Sequence, residues 1–497
     1  MSGETIRFVD TTLRDGNQSL WGATGITTPM VLAIAPTLDR VGFAALDFSS
    51  STHMAISVRY HKENPFERIR QTRRLMPRTP LSFITTGMRF ISWDRAPESL
   101  MRLSFRLVIR AGIRRVQIAE PMNDAAAALR LARMVREEGA EEIVPALAYT
   151  ISPVHSDRFY VEHARALAAS PDVDAVYLKD PGGLLTPERI SALVPAIQRE
   201  LGGKRLELHS HCNTGLAPVC YVDAARLGVH WLHTAVGPLA NDTSQPSAEN
   251  IVRNLRALGL GADLDLDAME RVAIHFRQIA HRHRLPLGAP MEYDVAYYKH
   301  QVPGGMMTTL KRQLAEIHQL ERLPQVLEEV AEIRRELGFP IMVTPFSQFA
   351  GAQAVLNVAS GKGRYDMVTD ELIKYVLGYY GTPPSEIDPN VRDRVLSLPR
   401  AREFELRREE PSLETLRARI GRTCSDEELL LRLVMPEAQV QAMIDAPPAP
   451  TPYGAGELPL KSLIEELSKR RDIHYFSVKK PGFRLELART QGPKTGP

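Results

Sequence analysis

Short apolar or β-branched runs recur through the first half of the chain. They stand at 6–10 (IRFVD), 43–48 (FAALDF), 81–85 (LSFIT), 115–120 (RVQIAE), 143–150 (IVPALAYT), 173–179 (VDAVYLK), 205–211 (RLELHSH) and 231–237 (WLHTAVG). Each has the length of a buried strand rather than of a helix. Between them apolar residues fall at helical spacing, as in AAAALRLARMVREEG after Asn123 and PERISALVPAIQRELGG after Thr186. Strand and helix units repeated eight times within about 250 residues match the chain length of a (β/α)8 barrel. The pattern predicts an α/β fold with a TIM barrel over residues 1–285. A doubly wound open sheet is the competing architecture, but no GxGxxG follows the first run.

From Pro286 the periodicity changes. Residues 286–445 read as a mostly helical domain, with long amphipathic segments such as RLPQVLEEVAEIRRELG. APPAPTPYGAG, at 446–456, is rich in proline and small residues and reads as a semi-rigid linker. The tail, 457–497, offers a helical LKSLIEELSKRR and then a strand-like pair, HYFSVKK and FRLELART, read as a docking or assembly element. No internal repeat stands out.

A length of 497 residues leaves room for two or three domains, and the composition is ordinary, 44% hydrophobic and 24% charged. The net charge of +3 gives no electrostatic case for nucleic acid or an anionic membrane as partner, so small ligands are expected. No apolar segment has membrane-spanning or signal-peptide length, and the strand run begins almost at once after the initial methionine. The three cysteines have no CxxC spacing, which fits a cytoplasmic location.

The barrel reading makes a chemical prediction, because active sites of this fold lie at the C-terminal ends of the strands. DTTLRDGNQS places Asp15 after the first run, YLKDPGGLL places Lys179 at the end of the sixth, and LHSHCNTG places His209 and His211 at the end of the seventh. All four should meet at one mouth. Histidines two apart on a strand point to the same side, as a shared divalent metal requires. An isolated HxH reads equally as packed core; the company of Asp15 and Lys179 favours the ligand reading. Lysine is normally protonated and a poor ligand, but a desolvated neutral amine beside a cation can take up carbon dioxide to give an anionic carbamate. The other reading of Lys179 is an ion pair with Asp180 or another carboxylate of the mouth. Pro181, Gly182 and Gly183 supply backbone for a tight loop or close approach of a substrate. In GPLANDTSQPS (237–247), Thr243, Ser244 and Gln245 can hydrogen-bond a polar substrate or relay a proton, or they belong to a helix cap. Ser247, three residues before Asn250, is the N-cap candidate.

RDGNQS, YLKDPGGLL, HSH and TSQPS, together with HQVPGG (300–305), VTPFSQ (343–348) and GYYGTPP (378–384), resemble one known family. It is the carboxyltransferase component of biotin-dependent enzymes: the pyruvate carboxylase carboxyltransferase domain, the oxaloacetate decarboxylase α subunit and the transcarboxylase large subunit. That family lies within the metallolyase superfamily of 3-hydroxy-3-methylglutaryl-CoA lyase and isopropylmalate synthase. The resemblance covers roughly residues 5–400, and HQVPGG and VTPFSQ belong to the helical funnel domain of the biotin-dependent branch. It implies that Asp15, Lys179, His209 and His211 bind zinc, manganese or cobalt, with Lys179 carbamylated. Gln18 would hydrogen-bond the oxo acid and Thr243 would shuttle a proton between substrate and biotin; apart from what the resemblance implies, Arg89 and Asn123 are further candidate substrate contacts. The chain has no AMKM-like biotinylation motif, so biotin would arrive on a separate carrier protein, in a complex with a biotin carboxylase subunit and as a homo-oligomer.

Three positions depart from the family pattern. Ala55 stands in SSSTHMA where the family carries an aspartate, Thr86 stands in ITTG where an arginine would clamp the substrate carboxylate, and Trp93 stands where a tyrosine is usual. A bidentate guanidinium contact is strong and directional, so its loss predicts an acceptor other than pyruvate, unless Arg89 serves from a shifted position. The same residues raise an alternative, a biotin-independent metal-dependent C–C lyase or Claisen-type condensing enzyme. A third reading is a catalytically silent scaffold subunit of a carboxylase complex.

Overall fold

Eight parallel strands, β1 (Arg7–Asp10), β2 (Ala45–Ser50), β3 (Leu81–Thr85), β4 (Ile113–Ile118), β5 (Glu142–Ala148), β6 (Ala175–Asp180), β7 (Arg205–Ser210) and β8 (Trp231–Thr234), close into a barrel in chain order. All eight lie on the apolar runs of the sequence. In this computed structural model the structure describes residues 5–92, 95–360, 363–405, 410–421 and 423–448, and scattered positions from 467 to 488. Closure is made by β1 and β8, with Arg7 opposite Trp231 and Asp10 opposite Thr234. Strands buried on both faces cannot alternate polar and apolar residues, which is why the runs are nearly continuous.

The helices between strands bury one apolar stripe against the barrel and carry charge outward. Several of their starts are set by side-chain caps. Asp124 accepts from the Ala127 N–H, Thr186 from Arg189 and Ser247 from Asn250, each supplying a partner that the first helical turn lacks. Ser247 is thus the cap of the helix Ala248–Ala257.

After the helix Leu266–His283 the chain becomes helical, as the periodicity predicts. A second core forms around Leu310, Val326, Val330, Ile333, Phe346, Phe349, Leu372 and Tyr375, all buried. The helices Leu413–Ile420, Asp426–Val434 and Glu437–Ile444 instead return to the outer face of the barrel. There Arg70 pairs with Glu427, and Ser99 Oγ donates to the Pro411 carbonyl at 2.7 Å. Residues Met1–Ala449 form one compact unit and Pro450–Pro497 another. In the second unit β9 (Tyr475–Lys480) and β10 (Phe483–Ala488) pair antiparallel, as the tail sequence suggests. Most of the expected linker and of LKSLIEELSKRR lies outside the described residues.

Candidate metal centre and cavity

The C-terminal mouth of the barrel brings the four predicted ligands together. Just past β1 the chain takes a wide π-helical turn, Thr12–Gly16, that turns Asp15 inward; such turns concentrate at functional sites. Lys179 and His209 face each other across the β6–β7 pairing, and His211 follows the end of β7. Asp15 Oδ2 lies 3.1 Å from His209 Nε2 and 3.5 Å from His211 Nε2, and the two histidine nitrogens are 3.3 Å apart. Donors around a tetrahedral zinc with bonds of about 2.0–2.1 Å stand about 3.3 Å from one another. The donor set and spacing therefore fit a divalent metal. Lys179 Nζ lies 3.5 Å from His209 Nε2 and 3.9 Å from Asp15 Oδ2, so a carbamate on it would carry oxygen donors toward the same point.

Electrostatics keep these groups in ligand form. Burial alone would raise the Asp15 carboxyl, but the Arg14 guanidinium at 3.1 Å and the two histidines outweigh it and hold it well below the usual range. Burial, with Lys179 nearby, keeps His209 neutral. Burial also pushes Lys179 down to about 8, against the pull of Asp15, so an appreciable neutral amine exists near neutrality. Of the alternative ion pairs, the one with Asp180 does not form, since that carboxylate accepts from the Leu184 and Leu185 N–H groups and from Ser210 Oγ, whereas the unmodified amine does pair with Asp15 at 3.9 Å. His211 Nδ1 donates to the Thr243 carbonyl at 2.7 Å, which leaves Nε2 as its lone-pair donor.

The centre opens into a cavity of 370 Å³. Asp15, Gln18, Lys179, His211 and Thr243 stand on its wall, with His209, 1% exposed, behind them. Arg14, next to Asp15 in the same motif, is a wall residue that the sequence reading left out; it also grips Asp47, from Nε at 2.8 Å. Gln245 Nε2 lies 3.1 Å from His211 Nε2 and 3.3 Å from His209 Nε2. The far wall comes from the helical region through Gly304, Met306, Thr309, Met342, Thr344 and Gln348, on and beside HQVPGG and VTPFSQ.

Two expected substrate contacts lie elsewhere. Asn123 spends both ends of its amide on Ala148, donating to the carbonyl and accepting from the N–H, each at 2.8 Å. This clasps the loop after β4 to the end of β5. Arg89 is absent from the cavity wall; its guanidinium lies over the Tyr380 ring, 5.2 Å from the centroid, and burial pushes it down to about 10. Thr86 does line the cavity, Ala55 does not, and Trp93 lies outside the described residues.

Comparison with known proteins agrees with this architecture. The HMGL-like family matches residues 5–275, and the conserved carboxylase domain matches residues 297–446. A pyruvate carboxylase subunit from Methanocaldococcus jannaschii is 35% identical over 79% of this chain and 68% of its own length. The 2-oxoglutarate carboxylase large subunit of Hydrogenobacter thermophilus is 30% identical over 87% of this chain and 67% of its own. In fold, the chain resembles the carboxyl transferase domain of Rhizobium etli pyruvate carboxylase solved with oxamate and biotin. That match has a TM-score of 0.79 and 23% identity, and covers 89% of this chain and 78% of the other. With a barrel family matched over more than half its length and relatives of this identity, the chain belongs to the carboxyltransferase family of biotin-dependent carboxylases.

Proposed function

We propose that this chain is the metal-dependent carboxyltransferase subunit of a multi-subunit carboxylase, moving a carboxyl group between N1 of biotin on a separate carrier protein and a small 2-oxo acid. The observation that carries this reading is the composite cavity, in which a buried Asp, Lys and two His on the barrel face helices bearing HQVPGG and VTPFSQ. A lyase acting alone has no need of that second wall. The relatives act as pyruvate and 2-oxoglutarate carboxylases by name, which supports an oxo acid as acceptor.

Asp15, His209, His211 and Lys179 as its carbamate would hold zinc, manganese or cobalt. Such an ion supplies Lewis acidity that polarises the carbonyl of the oxo acid. The chain's residues do the rest. Gln18 and Arg14 on the wall hydrogen-bond the oxo acid. Thr243 Oγ1, which donates to the Ser19 carbonyl at 3.1 Å, would take up the proton leaving the acceptor carbon as it passes its own to N1 of biotin, where the N1–carboxyl bond breaks. The new carbon–carbon bond then forms at the deprotonated carbon, and protons and carboxyl balance. With Lys179 carbamylated, Arg14 is the cationic side chain left on the wall among the described residues, it is already paired with Asp47, and Thr86 is a hydroxyl. This wall suits an acceptor whose far end is held by neutral donors.

In keeping with this role we place the protein in the cytoplasm as a homo-oligomer, together with a biotin carboxylase subunit and the carrier. Among the described residues, no helix is long and apolar enough to cross a membrane. The test is decarboxylation of the carboxylated oxo acids oxaloacetate and oxalosuccinate by metal-loaded protein, with and without biotin or a biotinylated carrier. Acceleration by biotin is expected. Failure of biotin to affect any oxo acid, or turnover of an acyl-CoA with no carrier, would sink the reading.

A further inference from the structure

Beneath the metal centre the barrel interior holds a line of buried polar side chains that the proposed chemistry does not use. His209 Nδ1, on the side away from Asp15, lies 3.2 Å from Nδ1 of His233 on β8. Nε2 of His233 lies 2.9 Å from Oε2 of Glu207. Glu207 in turn receives Arg115 from β4 through both terminal nitrogens and Arg205 Nε at 3.0 Å. His209, His233, Glu207 and Arg115 are each 1% exposed or less. The His233 ring is held flat against Tyr177, with centroids 5.5 Å apart and planes 7° apart, while it meets His209 edge-on.

The proton positions along this line follow from which atoms can donate. A carboxylate fixed by two guanidinium groups can only accept, so His233 carries its proton on Nε2. A neutral His233 then presents a bare Nδ1. Two ring nitrogens 3.2 Å apart share one proton, so it belongs to Nδ1 of His209. That leaves the lone pair of His209 on Nε2, facing Asp15 and His211. The partner of a metal-binding histidine's second nitrogen decides its tautomer and ring orientation.

We propose that His233, polarised by Glu207 and Arg115, is the positioning residue that locks His209 in the Nδ1–H tautomer and so presets Nε2 for the metal. A neutral imidazole does this without placing another negative charge next to Asp15, while the Glu207–Arg115 pair keeps its charges at a remove. The inference rests on the reading of His209 as a metal ligand, and the experiment separates the two.

Zinc affinity is measured on the full chain by competition with a chromophoric chelator at fixed bicarbonate, for wild type, His233→Phe, His233→Gln and Tyr177→Phe. Phenylalanine keeps the stack on Tyr177 but offers no acceptor. Glutamine restores the polarity, its Oε1 accepting from His209 and its Nε2 donating to Glu207. H233F should bind zinc about 10–100-fold more weakly, while H233Q and Y177F should stay within about threefold of wild type. Circular dichroism and the thermal midpoint of the metal-free proteins show whether each is folded. Equal affinity of H233F and wild type, or equal weakening of H233F and H233Q, would overturn the inference and leave the metal reading intact. A wild type that binds no zinc would overturn both. If H233F does not fold, H233Q carries the test, and weakening of about tenfold or more in it would overturn the proposal.

Discussion

Replacing Gly304 with alanine tests whether the helical region must close tightly on the barrel mouth. Gly304 opens the helix Gly304–Glu316, and a Cβ built on it would lie 1.9 Å from Thr243 Cγ2, 2.5 Å from Thr243 Cβ and 2.8 Å from Asn213 Oδ1. Carbon atoms need about 3.5 Å, so one side must retreat by about 1.5 Å. Thr243 is poorly placed to yield, because its hydroxyl donates to Ser19 and its carbonyl accepts from His211. The helix moves instead, taking the wall residues Met306 and Thr309 with it. Overpacking of this kind costs about 1–3 kcal/mol of stability, and a displacement of about 1 Å at reacting groups costs about 100-fold in rate. The assay is biotin-dependent decarboxylation of a carboxylated oxo acid, read beside zinc content. G304A is expected to lose about 100-fold in kcat/KM while keeping its metal. Activity within about threefold of wild type would show that the contact between Gly304 and Thr243 does not set the geometry of transfer.

Other substitutions probe the charges of the site. Arg14→Met leaves Asp47, fully buried, and Asp15 without the guanidinium that pairs with both; chemical unfolding should show a loss of about 3–5 kcal/mol, partly recovered in R14M/D47N, and an unchanged midpoint would contradict this. In metal-free, bicarbonate-free protein, Lys179 has its folded pKa lowered from 10.5 to about 8, chiefly by burial. Below about 8 both folded and unfolded states are protonated and the burial penalty is fully present; between about 8 and 10.5 the folded state sheds its proton first. Wild type should therefore gain about 3 kcal/mol relative to Lys179→Met as pH rises through that window, and parallel denaturation curves would refute it. Thr86→Arg adds a guanidinium to the cavity wall and should lower the KM for pyruvate about tenfold, whereas an unchanged KM would mean that position 86 does not face the acceptor carboxylate.

The barrel was legible because its strands are buried on both faces and so read as apolar runs with the right spacing. The candidate ligand residues stood out for the same reason, as polar side chains at the ends of those runs. What escaped the sequence reading depends on partners distant in the chain. Asn123 looks like a free amide at a strand end, yet Ala148 on the next strand takes both of its ends. Arg89 lies three residues beyond a wall position, but the Tyr380 ring captures it from the helical region. Arg115 and Glu207, which lie within two of the strand runs, prove to be paired inside the barrel, which periodicity does not reveal. The amphipathy of residues 413–444 announced helices without saying that they pack back on the barrel, because a stripe of leucines does not name its destination. His233 lay in the eighth run, WLHTAVG, and only the pairing of β7 with β8 brings it under His209.

Metal-dependent carboxyl transfer between biotin and an oxo acid is the activity proposed for this chain. Its most direct test is transfer of isotopically labelled carboxyl from a carboxybiotinyl carrier to an oxo acid, followed by mass spectrometry for wild type and Lys179→Ala with equal protein. Labelled, carboxylated oxo acid is expected from wild type, with loss of the label in the presence of a chelator and at least about a 1,000-fold slower transfer in K179A. Transfer at the wild-type rate by K179A, or unlabelled acceptor from metal-loaded wild type, would contradict it.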